Sequence, residues 1–241
     1  MSISRQLTLD FPHRPALGQQ DFLVSECNRD AVGWIDRWPN WPAPALAVFG
    51  PPGCGKTHLA HVWRRKSNAV LLRAAEIGER DAPEWLGEAA CCAIDDADGD
   101  VAQEAFLHLY NYVAETGGKL LILGCRPPAR WRLSLADLSS RLGAAPAVEI
   151  KSPDDALLGA LLVKLFHDRQ LKVGEDVLVY LLARMERSFD AARSIVAGLD
   201  RMGLAERRGV TVPLAREVLQ QLENDSIEQG SYGDNGFGTD R

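Results

Sequence analysis

Between residues 45 and 150 the chain alternates short, almost uninterrupted apolar runs with longer stretches of mixed polarity. The runs fall at 45–49, 69–73, 91–94, 120–124 and 147–150. Runs of this length read as strands buried on both faces, and the spacing between them leaves room for crossover helices. The pattern therefore predicts an α/β fold, a parallel sheet wrapped by helices. Past residue 150 the period changes. Leu157, Leu158, Leu161, Leu162, Leu165 and Phe166, then Val177, Leu178, Leu181 and Leu182, recur at helical spacing, so a small all-helical domain follows the sheet. Residues 152–155 supply a turn and a helix start, Ser188 or Asp190 is placed to cap a helix reaching about Met202, and Pro213 stands in the first turn of the last helix. The divisions that result are an arm over 1–20, an α/β domain over 21–151, a helical domain over 152–223 and a polar tail over 224–241. The arm is expected to be flexible and the tail disordered.

Composition narrows the class. A chain of 241 residues with 46% hydrophobic content buries a full core and holds one domain plus a small appendage. No apolar run approaches the ~20 residues that span a bilayer, and the N-terminus lacks the basic-then-apolar order of a signal peptide, so a cytoplasmic protein without a membrane partner is expected. Of five cysteines, Cys91 and Cys92 are adjacent inside an apolar run and none forms a C-x-x-C pair, which points to neither disulfides nor zinc. A net charge of −6 argues against direct sequence-specific DNA binding. The basic triplet Arg64, Arg65 and Lys66 reads as a solvated helix end, favoured by the helix dipole. Pro39, Pro42 and Pro44 form a stiff link into the first strand, where Trp38 and Trp41 are expected to pack.

The densest chemistry lies directly after the first run. Residues 50–57, GPPGCGKT, satisfy the pattern G-x-x-x-x-G-K-[ST] without a mismatch. Glycines allow successive backbone N–H groups to close around a polyphosphate, Lys56 neutralises phosphate charge, and the Thr57 hydroxyl ligates Mg²⁺. A helix opening at Thr57 would turn its positive end toward the anion. The expected nucleotide contacts are Pro52, Gly53, Cys54, Gly55, Lys56, Thr57 and His58, with ADP or ATP and Mg²⁺ as cofactors. The run at 91–94 leads into Asp95 and Asp96, as a strand does when it delivers carboxylates to the carboxyl edge of a nucleotide-binding sheet. Asp95 is expected to hold Mg²⁺ and Asp96 to orient the attacking water. Asp98 and Asp100 are assigned to solvent.

The phosphate loop, Asp95 and Asp96, the segment 121–128 ending Cys125-Arg-Pro-Pro, the Ser-Arg pair at Ser140 and Arg141, and the helical domain together resemble the AAA+ module of the DnaA initiator family over about residues 20–222. The resemblance implies an AAA+ P-loop sheet followed by a helical lid. It also implies that Asn28 lies near the adenine and that Arg141 is an arginine finger acting on a neighbouring subunit's nucleotide. In the lid the family's second sensor position aligns with Asp190, flanked by Arg187 and Arg193, of which Arg193 is taken as the nucleotide contact. At the first sensor position, where relatives carry Asp or another polar group, stands Cys125, a poorer hydrogen-bonding side chain, which counts against intrinsic hydrolysis. Gln6, Leu7, Leu9 and Phe11 resemble the peptide by which partners of the DNA polymerase III sliding clamp enter its pocket, an extended hook with spaced anchors. With only a short polar segment after the lid, the origin-reading domain of an initiator is not expected.

This arrangement is similar to the Hda-like branch of the family. It implies a negative regulator of replication initiation that binds adenine nucleotide, is tethered to the clamp, and stimulates hydrolysis of ATP bound to DnaA. Assembly with further copies of the chain is compatible with that reading. The alternatives are a DnaA-family ATPase acting as a loader or adaptor for another replication protein, and a binding module in which ADP is structural.

Overall fold

In the computed structural model, which describes residues 24–206 and 208–231, the five apolar runs become β1 (Ala45–Phe49), β2 (Val70–Arg73), β3 (Cys91–Asp95), β4 (Lys119–Gly124) and β5 (Ala147–Glu149). They pair in the order β2-β3-β4-β1-β5, every pairing parallel. Between them run α1 (Arg29–Asp36), α2 (Lys56–Ser67), α3 (Ala82–Leu86), α4 (Gln103–Glu115) and α5 (Ala136–Ala144), with α1 preceding β1.

Alternation along each strand builds two cores. Leu46, Val48, Ala93, Leu121 and Leu123 pack with Ala31 and Ile35 of α1 and Leu59, Ala60 and Trp63 of α2. The intervening Ala45, Cys92, Ile94, Leu120 and Ile122 pack with Phe106, Leu109 and Val113 of α4 and Leu138 and Leu142 of α5. A sheet covered on both faces by helices needs apolar residues at both parities, which is why these strands read as continuous runs. Burial pushes the Cys92 thiol up to about 12, with Cys91 beside it as a smaller cause, so this pair behaves as small core residues.

Trp63 is the centre of the first core. Trp41 stacks on it with ring centroids 5.4 Å apart and Trp38 meets it edge-on at 6.4 Å. The Trp41 indole N–H donates to the Trp34 carbonyl at 2.7 Å, and the Lys119 ammonium donates to the carbonyls of Trp41 and Ala43 at 3.1 and 3.0 Å. The proline-rich link is thus fixed to the sheet by aromatic packing and by one buried-end lysine, so both tryptophans pack as expected.

The second unit begins at Pro153. It consists of α6 (Asp155–Asp168), α7 (Glu175–Leu182), α8 (Phe189–Glu206) and α9 (Val212–Ser231). Leu158, Leu162, Phe166, Val177, Leu181, Ile195, Val196, Leu199, Leu214 and Val218 form its separate core. Two helix starts are capped by side chains: Asp154 accepts the Leu157 N–H at 2.8 Å and Ser188 Oγ accepts the Ala191 N–H at 3.0 Å. Asp154→Ala removes one such acceptor at a cost of about 1 kcal/mol. Hydrogen exchange of the first-turn amides of α6 is expected to accelerate about fivefold, with amides of the sheet unchanged.

One boundary moves. The tail was expected to lack structure from residue 224, but the backbone of α9 continues to Ser231. Extending an existing helix needs only one new hydrogen bond per residue fixed, and residues 221–229 contain neither Pro nor Gly to stop it.

Candidate nucleotide site

The strand order sets the site, because β1 lies between β4 and β5 and its carboxyl end opens beside those of β4 and β3. At that edge the Gly50 N–H donates to the Gly124 carbonyl at 3.2 Å, so the phosphate loop leaves β1 tied to the end of β4. A Cβ on Gly50 would collide with the Ile150 carbonyl, which makes glycine obligatory there on contact grounds alone. Gly55 caps α2 with φ 102°, a left-handed conformation that L side chains rarely adopt, and so turns the loop into the helix.

Lys56 is the first residue of α2 and is buried at 8% exposure. Its ammonium donates to the Gly50 carbonyl at 2.8 Å and the Pro51 carbonyl at 3.0 Å. Among the described residues no carboxylate pairs with it. Its other contact is the Cys54 sulfur, a weak acceptor at 4.0 Å, so no anionic partner among the described residues competes with an anion in the loop for this ammonium. The chain therefore fits a phosphate group here. Burial raises the pKa of the Cys54 thiol, an effect the Lys56 charge opposes but does not cancel, so Cys54 sits in the loop as a neutral packing residue. Pro52 and Gly53 complete the turn, and His58 follows in the first turn of α2.

The Thr57 hydroxyl donates to Asp95 Oδ2 at 2.7 Å, bringing together two residues 38 positions apart. Asp95 Oδ1 accepts the N–H of Asp96 at 3.0 Å. Asp96 is exposed and has φ 55°, a left-handed conformation that Asp tolerates better than most residues. Among the described residues no group of three or more His, Cys, Asp or Glu side chains is placed to hold a metal. The Thr57–Asp95 pair instead suits Mg²⁺, which keeps several waters and takes its remaining ligands from phosphate.

The remaining predicted residues lie on other elements. Asn28 is buried at the N-cap of α1, where its Oδ1 accepts the Ser25 N–H at 2.9 Å. Arg141 stands in the last turn of α5; its guanidinium donates to both Asp137 oxygens at 3.0 and 3.3 Å and lies 5.8 Å from the Tyr110 ring centre. Burial raises the Tyr110 pKa, which the Arg141 charge partly offsets. Arg193 pairs with Asp190 at 3.2 Å on the surface of α8, and Arg187 pairs with Asp155 at 2.7 Å. Gln6, Leu7, Leu9 and Phe11 lie outside the described residues.

Asp98 requires a correction. It is not left to solvent: its side chain is 10% exposed, it accepts the Arg126 N–H at 3.2 Å and it lies 3.5 Å from Arg126 Nε. Gln103 was also missed. Its Oε1 accepts the N–H groups of Ser134 and Leu135, both at 2.9 Å, and so fixes the entry to α5. Both residues act on segments roughly thirty positions away, and no local pattern announces that.

Residues 155–219 match the family described as the lid domain of Hda. Domain III of the replication initiation protein DnaA from Thermotoga maritima superposes with a TM-score of 0.72 at 17% identity, covering 88% of this chain and 98% of that one. The segment 155–219 is thus similar to the Hda lid domain, and the fold of the chain is similar to that of DnaA domain III. AMPPCP-bound DnaA from Aquifex aeolicus is similar at a TM-score of 0.63 and 18% identity, over 86% of this chain and 69% of that one. The RuvB branch-migration motor of Thermotoga maritima shares less, with a TM-score of 0.57 and 13% identity over 74% of this chain and 62% of its own. At these identities the likeness of this chain to the solved structures is one of fold. Among its described residues no helix is long and apolar enough to cross a membrane.

Proposed function

We propose that this Hda-like chain is a cytoplasmic regulator of bacterial chromosome replication initiation, one that binds adenine nucleotide with Mg²⁺ and stimulates hydrolysis of ATP bound to DnaA. The Hda lid domain on a DnaA-type AAA+ fold is the observation that carries the reading. The AMPPCP bound to the Aquifex aeolicus protein supports an adenine nucleotide in the loop at 50–57. In this reading Lys56 takes phosphate charge, Thr57 and Asp95 hold Mg²⁺, Asp96 faces the γ-phosphate side, and Asn28 and Arg193 contribute to nucleotide recognition. Arg141 serves a neighbouring DnaA: its described contacts are Asp137 and Tyr110, and its side chain is 40% exposed. Gln6, Leu7, Leu9 and Phe11 tether the chain to the sliding clamp on DNA, which raises its effective concentration around DnaA without any new contact between the two.

A second reading, a loader or adaptor ATPase that hydrolyses its own nucleotide, is favoured by the Thr57–Asp95 contact, which joins the two residues proposed to hold Mg²⁺. Turnover of DnaA-bound ATP, with and without DNA-loaded clamp, separates the two. The chain is expected to stimulate turnover only with clamp, and Leu7→Ala, Leu9→Ala and Phe11→Ala combined are expected to return the rate to the clamp-free level. No stimulation by the intact chain, with ADP bound and clamp active, supports the loader reading.

A further inference from the structure

We infer that Asp98 is a positioning residue that, together with Trp131, sets the place of Cys125 at the nucleotide edge of the sheet. The chain runs from Asp95 and Asp96 directly into this residue, and the Ala97 N–H donates to the Leu123 carbonyl at 2.8 Å, which lays the segment across the end of β4. There the Asp98 carboxylate accepts the Arg126 N–H at 3.2 Å and lies 3.5 Å from Arg126 Nε. From the other side the Trp131 indole N–H donates to the Arg126 carbonyl at 2.7 Å. Gly124 is enclosed between the same two side chains: a Cβ there would come within 3.1 Å of both Asp98 Oδ1 and the Trp131 ring. Cys125 is therefore bracketed by two residues that Asp98 and Trp131 hold.

The bracket reaches the phosphate loop through one further bond, the Gly50 N–H to the Gly124 carbonyl. A single connected path thus runs from the carboxylates after β3, through Asp98 and residues 124–126, to the first glycine of the loop. Asp98 is nearly buried while Arg126 keeps 57% exposure. A carboxylate so placed against a backbone N–H fixes position more than it adds surface charge pairing, which on exposed groups is weak. Its effect on nucleotide passes through Cys125 and Gly50.

The inference rests on residues 50–57 holding nucleotide, and Cys125 supplies its own probe. It is the exposed cysteine, whereas Cys27, Cys54, Cys91 and Cys92 are buried. In the intact protein, ADP with Mg²⁺ is expected to slow N-ethylmaleimide modification of Cys125 about tenfold, as access governs thiol reactivity. In Asp98→Ala that protection is expected to shrink to about twofold and the Kd for ADP to rise about fivefold, the effect of one lost hydrogen bond. Asp98→Asn keeps an acceptor for the Arg126 N–H and is expected to retain most of the protection. Should Asp98→Ala not fold, Trp131→Phe, which keeps an aromatic side chain but loses the indole donor and part of the ring against Gly124, is expected to reduce protection in the same direction. Full protection in a folded Asp98→Ala, or in Trp131→Phe, alongside normal ADP binding overturns the positioning role alone. An intact chain that binds no ADP overturns the nucleotide reading and this role with it.

Discussion

Arg141→Ala is expected to lower clamp-dependent turnover of DnaA-bound ATP by about a thousandfold while leaving ADP binding to this chain unchanged. The size follows from what a guanidinium does when it enters a neighbour's nucleotide site: it spreads positive charge over the phosphoryl oxygens as charge moves between them. The local geometry makes this affordable. Arg141 is held by Asp137 one turn earlier on α5 and rests near Tyr110. A partly exposed i,i+4 pair is worth only about 0.3–0.5 kcal/mol, so exchanging Asp137 for a phosphate costs little against the gain in the transition state. Arg141→Lys should not restore the rate, because a point charge on a flexible stem lacks the planar fork. Single-turnover hydrolysis of labelled ATP on DnaA, with clamp present, measures the effect. An unchanged rate would assign the chemistry to DnaA's own groups and reduce Arg141 to an exposed helix-end residue.

The difference between Arg141 and Lys56 shows what kind of information a sequence carries. Lys56 belongs to a local pattern whose strand before and helix after are also local, so loop, strand and helix were all legible together. The five strands were legible for the same reason: burial on both faces leaves apolar residues at both parities, and Cys91–Asp95 could be followed to its carboxylates by inspection. The helices after residue 152 announced themselves through leucine spacing and through the turn at 152–155, whereas the choice of Ser188 over Asp190 as a cap came from the structure. Arg141 had no such context and became a candidate only through family resemblance. Asp98, Gln103 and Trp131 were not legible at all. What they do depends on β4 lying next to β3, and that adjacency is a property of the folded sheet rather than of either segment. An acidic residue two positions past Asp96 looks the same on the page whether it meets water or the Arg126 N–H.

Lys56→Ala is expected to weaken ADP binding about tenfold to a hundredfold, since one charge-assisted hydrogen bond at about 1.5–3 kcal/mol leaves with the ammonium. A separate loss concerns the loop itself. The ammonium donates to the carbonyls of Gly50 and Pro51, and removing it leaves those acceptors unsatisfied beside a cavity at the start of α2. Lys56→Met keeps the stem that packs beneath the loop and so leaves no cavity, while removing the charge and its donors together. If Met and Ala weaken binding equally while the unfolding midpoint of Met stays near that of the intact chain, the loss is one of phosphate charge. If binding falls only in step with stability, Lys56 is a structural clasp for residues 50–55. The nucleotide reading then loses a main support, because a buried ammonium with no carboxylate partner among the described residues is what marks this loop as built for an anion. Titration with a fluorescent ADP analogue alongside chemical unfolding of the three proteins distinguishes the cases.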